Sequence, residues 1–366
     1  MKLFFLIFFA AYIGGNVYIF VRTLQLLSGM SLVVKSVFAL LFWVLAFAMV
    51  IALFARNSPL PDAVIRSLYQ VGSVWMVFTL YMVLALVTFD VVKIFFPSMQ
   101  YGVVYAAIVS LGLLVYGYWN YRHPHVEYID IEIDKPFAEE ITIVAVSDVH
   151  LGDGTDKKAL RRYVDMINAA NPGVVLIGGD LVDNSLRPLV NQNMAEELSR
   201  LQAPQGVYMA LGNHEYISGA DAVEKYLEAT PITLLRDSVV VLRNGVQIVG
   251  RDDKTNRHRK SLHALLEECD LSRPVIVVDH QPYGLQEVDA AGVDLQFCGH
   301  THHGQVWPIS LLTDYIYEQS HGYRKWTHSH IYVSSGLSLW GPPFRIGTHS
   351  DMAVFHLKSN SVQNIR

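Results

Sequence analysis

Residues 141–150 read Ile-Thr-Ile-Val-Ala-Val-Ser-Asp-Val-His, a run of β-formers that stops at a polar motif. A continuous apolar run of this length is typical of a strand that is covered on both faces, as in α/β proteins. Asp148 and His150 follow the run and are two residues apart. In an extended strand end they project to the same side, where a carboxylate and an imidazole can bind one metal ion.

Two further apolar segments end in the same manner. Val174–Ile177 leads into Gly178-Gly179-Asp180-Leu-Val-Asp183, and Val207–Leu211 leads into Gly212-Asn213-His214-Glu215. A polar helix is expected near Val190–Leu201, between these two segments, and the resulting strand–helix–strand rhythm predicts an α/β protein with layered sheets and helices. Ligands of such sheets bind outside the carboxyl ends of the strands. The three motifs are therefore expected to reach one crevice.

Two histidine motifs follow later in the chain. Asp279-His280 ends the predicted strand Val275–Asp279, and Gly299-His300-Thr301-His302 follows the predicted strand Leu295–Cys298. The segment Trp307–Lys325 is aromatic and rich in turn residues, so we predict a loop that flanks the site.

Each motif supplies a different kind of group. The Asp180 carboxylate has two oxygens and can bridge two cations, and Asn213 offers a neutral oxygen. His214 is better placed to meet a substrate, as a proton donor or as a positive charge facing phosphoryl oxygens. Asp183 is expected to orient a ligand or His214, with a helix N-cap as the alternative. Glu215 is interpreted as ordinary local polar structure.

The donor set points to a class of chemistry. Mixed Asp, Asn and His ligands without cysteine favour two divalent ions, Mn first, with Fe, Zn, Ni or Co also suitable, over a structural zinc. Two such ions, roughly 3.5–4 Å apart, clamp a phosphoryl group and turn a bridging water into hydroxide. His303 must point differently from His302 and is not counted as a ligand. The sequence thus predicts metal-dependent hydrolysis at phosphorus.

The first third of the chain is different in composition. Charged residues make up 17% of the whole chain and are rare before about residue 120. Four stretches without Asp, Glu, Lys or Arg can each supply the ~20 apolar residues that cross a bilayer. They are Leu3–Val21, Ser36–Ala55, Ser67–Phe89 and Ile94–Tyr121. We predict a transmembrane region over residues 1–121, whose first span is retained, and a soluble domain over residues 126–366.

The charges that flank the spans bear on orientation. Four spans put both ends of the region on the side that carries Lys2, Arg56, Arg66 and Arg122, and the other side carries Arg22, Lys35 and Lys93. By four charges to three, the positive-inside rule favours a cytoplasmic catalytic domain. We expect a multi-pass protein of the cell inner membrane.

The charged residues of the chain bear on possible partners and on sites outside the motifs. The net charge of −5 gives no support for nonspecific nucleic-acid binding, so no nucleic-acid partner is expected. Asp90 and Lys93 indicate either an ion pathway or an interfacial pair that closes a helix end. Arg257 or Arg259, in the charged run 251–260, either holds a substrate phosphate or belongs to a solvated loop.

With these residues in view, the chain resembles the calcineurin-like metallophosphoesterase superfamily. All five motifs occur in the family order across about residues 141–305; any one of them is weak, and the ordered set is specific. The tail at residues 334–347 also resembles the bacterial branch that includes membrane-associated YkuE/YaeI-type phosphodiesterases. The resemblance implies a two-sheet β-sandwich flanked by helices, which here follows a four-helix transmembrane region.

The resemblance also implies a role for each motif residue. Asp180 bridges two metals, and His214 takes the catalytic histidine role. The remaining ligands divide between the metals, with Asp148, His150 and His302 on the first and Asn213, His280 and His300 on the second. No ligand position is missing, which argues against an inactive relative.

The substrate is left open by the fold, because family members act on phosphoproteins, nucleotides, nucleic acids and lipid precursors. The leading hypothesis is a phosphodiesterase that acts on lipid-linked or membrane-proximal phosphate esters. A UDP-sugar-lipid pyrophosphatase is the alternative, which an apolar trough near Trp307, Trp326 and Trp340 would favour. A membrane sensor of metal or phosphate ligands is an alternative of another class, and its only support in the sequence is the pair Asp90 and Lys93.

Overall fold

The protein is represented by a computed structural model that describes residues 2–55 and 58–360. The chain divides into two compact units. One holds the residues up to Trp119 together with Gly341–Phe344, and the other holds the residues from Asn120 onward apart from that segment. The sequence-based limits, 1–121 and 126–366, stay a prediction, and the last six residues lie outside the described part.

The first unit consists of four apolar helices, as the sequence predicted. They are α1 (Lys2–Leu26), α2 (Leu32–Ala55), α3 (Asp62–Phe95) and α4 (Gly102–Tyr121). All four are long and apolar enough to cross a membrane. Arg56, one of the charges used for the orientation, lies outside the described residues.

Polar side chains connect the helices of this unit. Asp90 of α3 accepts hydrogen bonds from Arg22 of α1, at 2.6 Å, and from Tyr18. Asp90 is thus paired with a neighbouring helix, and the expected pair with Lys93 on its own helix is not formed. An ion pair between helices satisfies a charge that would be costly in an apolar surrounding.

The second unit contains two six-stranded sheets. The first has the strand order β1-β12-β2-β3-β4-β5, and the second has the order β10-β11-β9-β8-β7-β6. The strands are β1 (His125–Ile133), β2 (Ile141–Val146), β3 (Val174–Ile177), β4 (Val207–Met209), β5 (Ile232–Leu234), β6 (Ser238–Val241), β7 (Gln247–Gly250), β8 (Val275–Val278), β9 (Leu295–Cys298), β10 (Gly322–Lys325), β11 (His330–Val333) and β12 (Asp351–Ser359).

Short helices connect these strands. They are α5 (Lys157–Ala169), α6 (Arg187–Asn191), α7 (Ala195–Leu198), α8 (Asn213–Ser218), α9 (Ala220–Leu227), α10 (Leu262–Leu266), α11 (Leu285–Ala290) and α12 (Ile309–Ile316). The 3-10 turn His302–Gly304 precedes α12.

A continuous apolar core lies between the sheets. It joins Ile143 and Phe355 of the first sheet to Ile248, Phe297 and Tyr332 of the second, all of them buried. The amphipathic helix α5 covers the outer face of the first sheet. The predicted α/β fold, a two-sheet sandwich flanked by helices that follows four apolar helices in the chain, is therefore confirmed.

Two local predictions are wrong. The single helix expected near Val190–Leu201 is two short helices, because Asn193 adopts a left-handed φ of 49° between α6 and α7. The loop expected over Trp307–Lys325 contains α12 and β10. Its many aromatic residues do not interrupt regular structure.

Strand direction brings the motifs together. In the first sheet β2, β3 and β4 are parallel neighbours, and in the second sheet β7, β8 and β9 are parallel neighbours. The carboxyl ends of parallel strands meet at one edge, so the residues that follow them share one region of the molecule.

Candidate metal centre

The first pair of candidate ligands follows β2. Asp148 and His150 are buried, and His150 Nε2 lies 3.9 Å from Asp148 Oδ1. The side chains converge, but the expected extended strand end is not the cause. Both residues have a left-handed backbone, with φ of 55° and 48°. Such values store strain in residues other than glycine, and strain of this kind concentrates at functional sites.

Asp180 lies centrally among the histidines. Its Oδ2 is 3.1 Å from His280 Nε2 and 3.8 Å from His150 Nε2, and its Oδ1 accepts a hydrogen bond of 2.8 Å from the His214 backbone N–H. Gly179, which precedes it, has φ of 88°, and a Cβ there would lie 2.8 Å from His280 Nδ1. The glycine is required both for the backbone angle and for this close approach.

The residues after β9 complete two clusters. His302 Nε2 is 3.1 Å from His150 Nε2 and 3.4 Å from Asp148 Oδ1, and the rings of His280 and His300 lie 5.1 Å apart. Among the groups whose possible ligand atoms lie within 4.8 Å of one another, two contain the residues that the motifs predicted as ligands. The first is Asp148, His150 and His302, and the second is Asp180, His280 and His300.

Asn213 lies at the start of α8. Its side-chain Oδ1 is buried and has no hydrogen-bond partner among the described residues, and the same is true of His280 Nε2 and His302 Nδ1. Unsatisfied buried polar atoms are costly, and a bound cation satisfies an oxygen or nitrogen lone pair. The side chains of this centre therefore fit divalent metal ions.

One histidine has a defined tautomer. His280 Nδ1 lies 2.7 Å from the Gly178 carbonyl oxygen, so Nδ1–H donates to that oxygen and Nε2 is the ring nitrogen that faces Asp180. A backbone carbonyl that orients an imidazole in this way is the usual support of a metal-binding histidine.

Burial controls the ionisation of the remaining imidazoles. It lowers the pKa of His300 to about 4 and that of His302 to about 3, so both rings are neutral at physiological pH. Burial alone would raise the pKa of Asp148 and Asp180, but the surrounding imidazoles hold both below the usual value. Neutral imidazoles and ionised carboxylates are the forms that bind metals.

Asp183 connects a ligand to the proposed catalytic histidine. Its Oδ1 lies 3.4 Å from His150 Nδ1 and 3.3 Å from His214 Nδ1, and His214 Nδ1 also donates to the Asp183 carbonyl at 2.8 Å. The alternative role as a helix N-cap does not apply, since Leu186 caps α6. Burial opposes the imidazolium of His214, but Asp183 outweighs it and raises the pKa of His214 to about 9.

Glu215 is more important than the sequence suggested. Its buried carboxylate accepts hydrogen bonds from three backbone N–H groups, those of Asp180, Val182 and Gly212, at 2.8–2.9 Å. Burial and the nearby Asp180 raise the pKa of Glu215 to about 7. Its position three residues after Gly212 matches a helix capping box, which was the available signal.

Arg345, for which the sequence pattern indicates no role, is the largest fully buried side chain among the described residues. Its guanidinium donates to backbone carbonyls on two sides. One is that of His302, at 2.6 Å, and the others belong to Ser335, Gly336 and Ser338. The turn that carries His302 is thereby tied to the loop after β11.

The basic run and His303 also have defined places. Arg251 and Arg259 both donate to the buried carboxylate of Asp279, at 2.9 and 3.2 Å, so the guanidinium of Arg259 has a carboxylate partner within the protein. His303 lies outside the two clusters and faces Asp314 at 3.4 Å.

The sequence pattern of the calcineurin-like phosphoesterases matches residues 141–304. A metallophosphoesterase of Helicobacter pylori is 30% identical over 283 residues, which cover 74% of this chain and 75% of the relative. The chain therefore belongs to the metallophosphoesterase family, and it is a metal-dependent phosphoester hydrolase. The family implies a dinuclear centre of divalent metals.

Two other relatives bear on the branch and the membrane. The metallophosphoesterase YkuE of Bacillus subtilis is 29% identical over 266 residues, covering 67% of this chain and 91% of YkuE. A zebrafish transmembrane protein with a metallophosphoesterase domain is 31% identical over 275 residues, covering 70% of this chain and 62% of the relative. The predicted resemblance to the YkuE branch is confirmed, and the four apolar helices indicate a membrane protein.

Proposed function

We propose that the protein is a membrane-anchored phosphodiesterase that acts on lipid-linked or membrane-proximal phosphate esters at a dinuclear metal centre. The observation that carries the proposal is the pair of ligand clusters, joined through Asp180, in one chain with four apolar helices. A multi-pass inner-membrane location with a cytoplasmic catalytic unit is part of the proposal.

In this proposal the ligands divide as the family resemblance implies. Asp148, His150 and His302 would hold the first metal, Asp180 would serve both metals, and Asn213, His280 and His300 would hold the second. Mn²⁺ is the proposed ion, because the donors are oxygen and imidazole groups that suit it. When bound, the two cations neutralise phosphate charge and activate the attacking water.

His214 is the proposed proton donor to the leaving group. Its Nδ1 is occupied by Asp183, so Nε2 is the atom left to meet the substrate. With the pKa raised to about 9 by Asp183 against burial, the imidazole carries a proton at neutral pH. Asp183 also contacts His150, so it positions both a metal ligand and the acid.

Detergent-purified full-length protein supplied with Mn²⁺ tests this proposal. Bis(4-nitrophenyl) phosphate, 4-nitrophenyl phosphate and a nucleoside-diphosphate lipid are compared side by side. We expect diester turnover to fall more than 100-fold in Asp180→Asn and Asn213→Ala, and to stay within twofold in Asp165→Asn, which alters an exposed surface pair. Diester turnover that survives Asp180→Asn, or is absent from wild-type protein carrying two metals, contradicts it.

Cleavage of a UDP-sugar lipid at its pyrophosphate is a second candidate. The ring of Trp340 lies 6.2 Å from the ring of His214 and is half exposed, as is Trp307. Trp326, by contrast, packs on a buried cluster and donates to Gln319. A preference for the nucleoside-diphosphate lipid over the simple diester would favour this function.

The sensor hypothesis retains little support. It rested on Asp90 and Lys93, and Asp90 is paired with Arg22. Tight binding of phosphate compounds by metal-loaded protein without turnover would favour it.

A further inference from the structure

Helix α12 turns its apolar side chains outward. Its exposed residues are mostly large and apolar, namely Ile309, Leu311, Leu312, Tyr315 and Ile316, with Trp307 just before the helix. Tyr315 is 88% exposed, whereas Ser310 is buried. We call Trp307 and these five residues the α12 surface.

This arrangement reverses the usual pattern, in which a surface helix buries its apolar face. The helix is held by polar contacts instead. Asp314, its single charged residue, accepts from Ser320 and faces His303 at 3.4 Å, and Thr301 donates to the Ser320 carbonyl at 2.6 Å. Contiguous exposed apolar residues of this kind mark a site of membrane or protein binding.

Helix α12 ends next to a candidate ligand of the metal centre. Tyr317 follows the helix directly, and its ring lies 6.4 Å from the ring of the ligand His300. The partly exposed Tyr283 packs against Tyr317 at 5.3 Å. A lipid that contacts α12 is therefore next to the side chains that would hold the second metal.

We propose that the α12 surface docks on the lipid bilayer and delivers the acyl-chain end of a lipid phosphodiester to the metal centre. The docking stands on its own, and the delivery rests on the proposed function. Exposed Trp and Tyr among aliphatic side chains are the composition of a membrane-interface segment.

Chain connectivity selects the bilayer over a soluble partner. Helix α4 ends at Tyr121 and β1 begins at His125, so three residues separate a candidate membrane span from the first strand of the metal-binding unit. Three extended residues reach about 10 Å. A unit held so close to a membrane has lipid as its permanent neighbour, and an apolar surface on it has a ready occupant.

Depth measurements test the docking without catalysis. The other accessible cysteine is removed by Cys269→Ser, and Cys298 is buried. In this background Tyr315→Cys is labelled with an NBD fluorophore. The control is Val241→Cys, labelled in the same way at a position on β6 where the native valine is 61% exposed. Both full-length proteins are placed in phosphatidylcholine nanodiscs that contain doxyl-labelled lipid. We expect at least threefold stronger lipid quenching at position 315. Equal quenching at the two positions, or disulfide crosslinking between copies at 315, overturns the docking.

Activity measurements test the delivery. We expect Leu312→Glu and Tyr315→Glu to reduce turnover of a lipid phosphodiester in nanodiscs at least tenfold and to leave bis(4-nitrophenyl) phosphate turnover within twofold. Val241→Glu is the matched control and should change neither rate. An equal loss on both substrates overturns delivery. Strong quenching at 315 with no turnover of any ester supports docking and contradicts the proposed function, so the two failures are distinguishable.

Discussion

Arg345 donates a hydrogen bond of 2.6 Å to the carbonyl oxygen of His302 from a fully buried position. Its other N–H groups donate to backbone carbonyls of residues 335–338. The backbone N–H of Ser338, in the same segment, donates to the Asp148 carbonyl. One guanidinium therefore positions the backbone of two residues proposed for the first metal.

Replacing Arg345 should weaken the binding of the first metal more than that of the second. Arg345→Lys keeps the charge but cannot reach several carbonyls in a fixed plane, so we expect a 10–100-fold loss of metal affinity, as is typical when a supporting partner is removed. Metal titration with a competing chelator measures it. If the affinities for both metals fell equally while circular dichroism showed an intact fold, a role confined to His302 and Asp148 would be contradicted.

Glu215 should be indispensable for the loops it joins. Glu215→Gln places an amide N–H₂ where three backbone N–H groups need acceptors, and charged hydrogen bonds of this type are worth roughly 1.5–3 kcal/mol each. We expect thermal unfolding of the metal-free protein several degrees lower and metal binding weakened at least tenfold. Glu228→Gln, at the end of α9, is the control. Wild-type metal binding in Glu215→Gln would refute the role.

Gly179→Ala should abolish activity through geometry alone. A methyl group there meets the Gly212 N–H and His280 within 3 Å, on a backbone with φ of 88°. Gly154→Ala is the matched control, because a Cβ at Gly154 meets nothing within 4 Å and no positive φ is required. Diester hydrolysis should fall more than 100-fold in the first variant and stay near wild type in the second; similar rates in both would be inconsistent with the strained turn.

Glu197 provides a pH test away from the metals. The hydrogen bond from Arg161 lowers the pKa of Glu197 most, burial opposes it, and the hydrogen bond from Arg200 adds to the lowering, so that the pKa of Glu197 falls to about 2. Because the folded pKa lies below the unfolded value near 4.5, the stabilisation is present above about pH 4.5 and is lost as the pH falls toward 2.

Glu197→Gln should therefore lower the unfolding free energy by about 1 kcal/mol at pH 7, since both arginines are largely exposed. The difference from wild type should shrink between pH 5 and pH 3. Glu196→Gln, in an exposed pair with Lys157, should have a smaller effect. A deficit in Glu197→Gln that stays constant down to pH 3 would rule out the ion pair as its cause. Thermal unfolding followed by tryptophan fluorescence measures these differences.

Much of the architecture could be predicted from local pattern. The apolar runs Ile141–Val146, Val174–Ile177 and Leu295–Cys298 are strands with those bounds. Each strand is covered on both faces, so most of its residues are apolar, and each run is followed directly by a serine or a glycine.

What could not be predicted depends on long-range contacts. Arg345 is hidden in the core because backbone carbonyls distant in sequence accept its donors, and the sequence around it records no such partners. The sequence of α12 does not show that its apolar side chains are exposed, because the same residues would suit a buried helix. Only the tertiary structure shows which side of the helix faces outward. The left-handed backbone of Asp148 and His150 could not be predicted either, because the strand pattern indicates an extended backbone at these residues.

The left-handed backbone of the centre also restricts evolution. Asp148, His150, Asp180, His300 and His302 all have positive φ. Among residues other than glycine, Asp, Asn and His are several-fold enriched in this region, and β-branched residues are nearly excluded. The main chain alone thus narrows the residue types that random mutation can supply at these positions. The residue types that this backbone tolerates best, Asp, Asn and His, can also bind a metal. Random substitution at these positions would therefore exchange one ligand type for another more readily than it would remove the site.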